Sequence, residues 1–324
     1  MRFALIGPVN SIIPPKGWGA VEIIIWEYYQ GLTKLGHQVK IINGHPNTFI
    51  KEIQEFKPDI VHMMYDDYVN MLPFLSSIVP LVLYTTHYAY LCSSFIKNRN
   101  DGYYISKIKP LENSFKCKNV YIFALSEDIK NMYKLFGFPE ERIIVQKNGA
   151  SSTDFEYSNL PLYKNKSISI GKIEKRKRQY IIQNISSIDF AGQFQNSNFN
   201  LQLDNYKGHW DKPTLYKSLT NYANLVHVSD GEADPLVIKE AIISGLGVVI
   251  SEVSCANLDT SLVWVDIIPE TRIYDVDYIK NTVEKNRVTS IIHRNEIREY
   301  GLTNYSWNII INEYLEKVNK IFKN

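Results

Sequence analysis

The sequence predicts an α/β protein of two similar halves, each a parallel sheet covered by helices. Three observations predict it. Short, mainly apolar runs alternate with amphipathic stretches of helical spacing; the alternation occurs twice; and a polar stretch, residues 148–166, separates the two occurrences. Apolar strands joined by crossover helices imply a parallel sheet buried on both faces. The length of 324 residues suits two domains of roughly 150 residues each.

In chain order, residues 3–6 form a short apolar run closed by Gly7-Pro8, a first buried strand rather than the core of a signal peptide. A Gly/Pro-rich loop over 14–19 leads into a helix over about 21–35, with Val21, Ile24, Ile25, Tyr28, Leu32 and Leu35 on one face and Gly36 as its stop. Residues 39–42, 60–63, 81–84 and 120–124 read as further buried strands, with a helix over 127–135. In the second half, strands are expected at 167–170, 189–191, 225–228 and 248–250, and helices at about 178–184, 212–222 and 235–244. The expected domains are 1–155 and 156–304. The amphipathic end, 305–324, either closes the second domain or crosses back to the first.

Composition excludes several classes. A net charge of +2 is too small for a duplex nucleic-acid binder that works by neutralising phosphates. Cys92, Cys117 and Cys255 are odd in number and widely spaced, which suits reduced thiols in a cytoplasmic compartment. No apolar run approaches the ~20 residues of a membrane helix, so any membrane contact would be peripheral. No GxGxxG opens a helix after the first strand, which argues against a nicotinamide dehydrogenase.

The chemistry concentrates in Asp230-Gly231-Glu232-Ala233-Asp234-Pro235-Leu236-Val237-Ile238-Lys239-Glu240-Ala241. Glu232 and Glu240 stand eight positions apart around a helix start. Pro235 suits the first helical position, and the free amides of Leu236 and Val237, with the helix dipole, attract an anion. A loop carboxylate for hydroxyls, amides for phosphate and a helix carboxylate for a ribose suit a sugar nucleotide. The bland alternative is two surface glutamates beside an Asp234 N-cap. The run Gly171-Lys172-Ile173-Glu174-Lys175-Arg176-Lys177-Arg178-Gln179 puts cations at the carboxyl end of a strand, where open α/β sheets bind ligands. Two lysines there could stabilise a departing diphosphate without a metal; the alternatives are a solvated basic turn and a nuclear-localisation or nucleic-acid role.

The order of these features resembles the retaining GT-B glycosyltransferases of family 4, which use nucleotide sugars. Lys172 and Lys177 look like that family's Arg…Lys pair, and Glu232 to Glu240 like its Glu-x7-Glu motif. Trp18-Gly19-Ala20-Val21-Glu22 is similar to its Gly-Gly loop and helix, and Thr86-His87 to its Thr-x-His strand end. Ala124-Leu125-Ser126-Glu127 and Val145-Gln146-Lys147-Asn148-Gly149 are similar to its Ser-Glu and Asn-Gly signatures, and Tyr305-Ser306-Trp307 also fits. The resemblance runs from about residue 6 to 252. It implies two Rossmann-like domains facing across a cleft, a UDP- or GDP-sugar donor, a glycan, lipid-linked or other hydroxyl acceptor, and no cofactor or metal. It further implies that Gly19 and Ala20 cover the donor phosphates, that His87 sits at the reacting sugar, and that Lys172 and Lys177 hold the diphosphate. Glu232 would take a sugar hydroxyl and Glu240 the ribose. Within the same fold, a nucleotide-sugar epimerase and a non-catalytic nucleotide-sugar binder are the alternatives.

Three positions depart from the family pattern. Ala20 stands in place of a second glycine. Lys172 replaces an arginine, exchanging a bidentate fork for a point charge. Asp234-Pro235 replaces an apolar residue and a glycine, and an Asp234 cap would compete with phosphate for the helix amides. Elsewhere, His62 is expected to be packed at a strand end, and Asp66-Asp67 to form an exposed turn. The stretch 97–118, with six Lys or Arg residues and interleaved aromatics, reads as a solvated loop or an anionic-surface contact.

Overall fold

The computed structural model describes residues 1–17, 19–87, 91–93, 106, 109–196 and 198–323. Half of the 97–118 stretch, residues 97–105, 107 and 108, lies outside them, together with Trp18. The chain divides into two compact units: unit 1 holds Met1–Asn148 and Ile310–Asn324, and unit 2 holds Gly149–Ile309.

Unit 1 is built on β1 (Arg2–Ile6), β2 (Gln38–Ile42), β3 (Ile60–Met63), β4 (Leu81–Tyr84), β5 (Val120–Ala124) and β6 (Ile143–Val145). All neighbours pair parallel, in the order β2-β1-β3-β4-β5-β6. Helix α1 (Ala20–Lys34) buries Ile24, Ile25, Tyr28 and Leu32, the face read from the spacing. It stops as predicted: Gly36 adopts φ 83°, its N–H bonds to Thr33 O at 3.0 Å, and His37 N–H bonds to Leu32 O at 3.1 Å. That pair of bonds is a Schellman closure, which needs a residue tolerant of positive φ. Helix α2 (Pro46–Phe56) and α3 (Leu72–Ile78) follow β2 and β3. Helix α4 (Glu127–Leu135) is capped by Ser126, whose Oγ accepts from Ile129 N–H at 3.3 Å. Ser126, the first residue of the Ser-Glu pair singled out in the sequence, therefore has a structural duty.

Unit 2 contains β7 (Tyr163–Ile170), β9 (Ile188–Ala191), β11 (Tyr222–His227), β12 (Gly247–Ser251) and β13 (Val265–Ile268) in a parallel sheet ordered β13-β12-β11-β7-β9. The short strands β8 (Ile173–Glu174) and β10 (Phe194–Asn196) pair separately. Helices α5 (Gln179–Ile182), α6 (Lys212–Ser218), α7 (Leu236–Ile243), α8 (Val276–Ile292) and α9 (Arg294–Tyr305) complete the unit. The core between α8 and the sheet gathers Val226, Val249, Ile268, Ile279 and Val283, all essentially buried.

The polar stretch is shorter than its composition suggested, because β7 already begins at Tyr163. Its Asn-Gly end is a close-packing point. A Cβ on Gly149 would lie 2.8 Å from Tyr305 O and 2.9 Å from the Trp307 ring, while Ala150 and Ser306 form a parallel bridge. The last helix, α10 (Trp307–Lys323), sends residues from Ile310 onward into unit 1. There Tyr314 stacks on His62 at 5.6 Å and meets Tyr28 and Phe123 edge-on at 4.9 and 5.4 Å. His62 is packed as expected, bonded to Thr85 Oγ1 at 2.8 Å and to the Tyr314 hydroxyl at 3.3 Å. The acidic pair is a correction. Only Asp67 is exposed; Asp66 is 1% exposed and accepts from the Tyr84 hydroxyl at 2.7 Å. Tyr84, at the end of a neighbouring strand and 18 positions away, supplies the donor that offsets the burial of Asp66, a pairing that local pattern does not reveal.

Candidate functional site

In unit 2 the sheet order reverses between β7 and β11: the chain runs outward to β9 on one side and to β12 and β13 on the other. Loops leaving the carboxyl ends of two such neighbouring strands splay apart and leave room for a ligand. The two segments singled out from the sequence leave these two strands. Gly171 follows β7, and a Cβ built on it would stand 3.9 Å from the Lys177 side chain. Residues Lys175–Lys177 form a tight 3-10 turn, closed by Arg178 at φ 55°. Asp230 N–H bonds to Arg176 O at 2.8 Å, which fastens the basic turn to the loop after β11.

Glu232 is the centre of this junction, at 8% exposure. Three donors converge on its Oε1: Lys177 Nζ, Arg176 Nη1 at 3.2 Å and His227 Nε2 at 3.1 Å. Burial by itself would push this carboxyl up, but Lys177 and then Arg176 outweigh it and hold Glu232 well below the usual carboxylate range. Burial also lowers the His227 imidazole. A neutral His227 beside an ionised carboxylate carries its proton on Nε2 and donates it to Glu232. Arg176 reaches further, donating to Gly231 O at 2.7 Å and to Glu174 Oε1 at 3.0 Å. Arg178 is spoken for elsewhere, by Asp230 at 2.8 Å and Glu270 at 3.0 Å. Lys172 differs from all of these: it is exposed, and its ammonium has no partner among the described residues.

Helix α7 departs from expectation in two ways. Pro235 occupies the N-cap, with φ −70° and ψ 126°, rather than the first helical turn, and no side chain caps the helix. Asp234 does not serve as that cap. It pairs instead with Lys239, and both side chains are buried, at 0% and 3% exposure. The first amides of α7, those of Leu236 and Val237, are therefore left uncovered by the neighbouring carboxylate. Glu240 lies half-buried on the next turn, and burial, only partly offset by Lys212 and Lys239, pushes its carboxyl up to about 7.

In unit 1, Gly19 is the N-cap of α1 and Ala20 its first residue, the latter exposed. His87 follows β4 beyond the buried Thr85 and Thr86. Its Nδ1 and Nε2 are both buried with no hydrogen-bond partner among the described residues, and burial lowers its imidazole to about 4. A buried ring with two unanswered nitrogens loses solvation that a bound polar group would restore. The structure thus brings Lys177 and Glu232 together within unit 2, with α7 beginning four residues after Glu232, and separately puts His87 and Gly19-Ala20 in unit 1.

The fold of the chain resembles those of several solved structures. Over 99% of this chain and 100% of its own, HepE from Anabaena, crystallised with UDP-glucose, superposes with a TM-score of 0.71 at 13% identity. Sucrose-phosphate synthase from Thermosynechococcus elongatus gives a TM-score of 0.73 at 13% identity, with 99% of each chain covered. The lipopolysaccharide outer core galactosyltransferase WaaB gives 0.68 at 13% identity, again over 99% of each chain. The chain has the GT-B fold. No protein-family model matches it, and no curated protein matches it in sequence. In this GT-B chain Lys177 and Glu232 are legible from the sequence, whereas Arg176 and His227, which meet Glu232, and Lys239, which pairs with Asp234, are not. His227 carries one usable signal, a polar residue directly after the apolar pair Leu225-Val226 and five positions before Glu232. Among the described residues no helix is long and apolar enough to cross a membrane, and no three His, Cys, Asp or Glu side chains form a metal-sized cluster.

Proposed function

We propose that this chain is a retaining glycosyltransferase that moves a sugar from a UDP- or GDP-sugar onto a glycan, lipid-linked or other hydroxyl acceptor without a metal ion. The observation that carries the reading is the convergence of Lys177 and Glu232, beside the uncapped start of α7, at the sheet reversal of unit 2. Cations and free amides there suit a diphosphate, and an ionised buried carboxylate suits a hydroxyl. HepE was crystallised with UDP-glucose on the same fold, which supports a nucleotide-sugar donor. Asp234 is engaged by Lys239, so it does not compete with phosphate for the α7 amides, and this favours a working enzyme over a degenerate binder.

On this reading Lys172 and Lys177 neutralise the departing diphosphate, and the amides of Leu236 and Val237 take its oxygens. Glu232 accepts from a sugar hydroxyl, and Glu240 binds the ribose. Gly19 and Ala20 present backbone at the phosphates, and His87 bonds a hydroxyl of the reacting sugar. The leaving phosphate takes the acceptor's proton as the bond to the sugar forms on the same face. The protein contributes position and charge rather than a covalent intermediate. Any meeting with a lipid-linked acceptor is peripheral.

The test is thermal denaturation with UDP-, GDP- and ADP-sugars, followed by donor-consumption assays. A donor at 100 times its dissociation constant stabilises by about 2.7 kcal/mol. Consumption of that donor persists in EDTA; activity lost to EDTA and restored by magnesium or manganese contradicts the metal-free assignment. Absence of any shift with all three nucleotide classes contradicts the donor reading itself.

A further inference from the structure

We propose that Arg176 and His227 are positioning residues that hold Glu232 toward the donor sugar while Lys177 is engaged by the diphosphate. This rests on the donor reading above and adds a division of labour among the cations that meet at Glu232.

Lys177 has two claims on it. It already contacts Glu232 Oε1, and the proposed reaction asks it to neutralise phosphate oxygens. Were it the only partner of Glu232, turning toward phosphate would strand a carboxylate that is 8% exposed, and stranding a buried charge is among the costliest changes a folded protein can make. Arg176 and His227 remove that conflict, because each reaches the same Oε1, at 3.2 and 3.1 Å, from a different direction.

Their supports are independent of Lys177. Arg176 is fixed at its other end by Glu174 and by the carbonyl of Gly231, at 3.0 and 2.7 Å. Its backbone carbonyl is anchored by Asp230 N–H. His227 is the last residue of β11, held in register opposite Ile250 of β12, and is 3% exposed. A ring on a central strand cannot follow a substrate, so it fixes one direction from which the carboxylate is gripped. Arg176 supplies the charge that keeps Glu232 ionised when Lys177 turns away. His227 supplies the orientation.

The test uses the full chain in two arms. The first measures binding of UDP, GDP and ADP and of their glucose conjugates by calorimetry. For the nucleotide that the native protein binds, His227→Phe lowers affinity for the glucose conjugate about tenfold, the size of one hydrogen bond to a charged group. Affinity for the bare nucleotide stays unchanged, and His227→Gln, which keeps an N–H donor, recovers most of the loss. Equal losses for conjugate and bare nucleotide, or no loss for either, overturn the assignment. The second arm needs no ligand: carbon-13 titration of the Glu232 carboxyl. In Lys177→Met the carboxyl stays ionised below the ordinary glutamate range, and in Lys177→Met with Arg176→Met it rises above that range. An upward shift already present in Lys177→Met alone overturns the assignment. If none of the six probes binds the native protein, the donor reading fails, and the titration alone decides whether Arg176 and His227 hold Glu232.

Discussion

Replacing Lys239 by methionine should be among the most damaging single substitutions in unit 2. The side chains of Lys239 and Asp234 are 3% and 0% exposed, so the change removes a cation from a carboxylate that water cannot reach. Breaking a buried pair by deleting one partner costs about 3–5 kcal/mol, because the remaining charge must be neutralised or the site must open. At about 2–4 °C per kcal/mol for a domain of this size, the melting transition should fall by about 6–20 °C. The matched control is Asp234→Leu with Lys239→Met, which removes both charges together. Apolar replacement of a whole buried pair is commonly neutral or stabilising, so this double variant should melt near or above the native protein. Differential scanning calorimetry of native, single and double variants checks the argument. A single variant melting within about 2 °C of native would refute it, as would a double variant no better than the single.

Three further outcomes follow from other sites. Glu240 titrates at about 7 in the fold against 4.5 without it, so the folded chain retains a proton that the unfolded chain releases. Its contribution is present below the lower value and is lost as pH rises through the upper one; Glu240→Gln should stabilise by about 1–3 kcal/mol at pH 8 and by little at pH 4.5, read from paired denaturation curves. Arg178 sits at φ 55°, where a side chain costs about 1–2 kcal/mol relative to glycine, so Arg178→Gly should be more stable than Arg178→Ala by roughly 1 kcal/mol in urea denaturation. A Cβ on Gly31 would lie 2.1 Å from Ile311 Cδ1, so Gly31→Ala should destabilise unit 1 by about 1–3 kcal/mol, and adding Ile311→Val should recover part of that in the same assay.

Much of this architecture was legible because it is written in local pattern. The mainly apolar runs at 60–63, 81–84 and 120–124 are strands over those same residues, since a central parallel strand is buried on both faces. Gly36 ends α1 because only one local bonding pattern closes that helix cheaply. Lys177 and Glu232 were legible as candidates but their meeting was not. They lie 55 positions apart, and only the pairing of β7 with β11 brings their loops together. The same pairing hides the role of Arg176. Asp234 was read as a cap because aspartate before a helix usually is one. Its true partner stands five positions on, outside the three- and four-residue spacings that helix logic searches. Strands β6 and β13 were not anticipated, being edge strands whose short runs carry little signal.

The chain leaves unit 1 after Asn148 and returns to it at Ile310, so unit 2 is an insertion in the middle of its neighbour. A ribosome must therefore make every residue of the inserted unit before it makes Tyr314, whose ring closes over His62, Tyr28 and Phe123. During that interval the first unit waits with an aromatic surface uncovered, the kind of surface that recruits chaperones or another nascent chain. Synthesis order thus makes the part of the protein that begins first the part that is finished last.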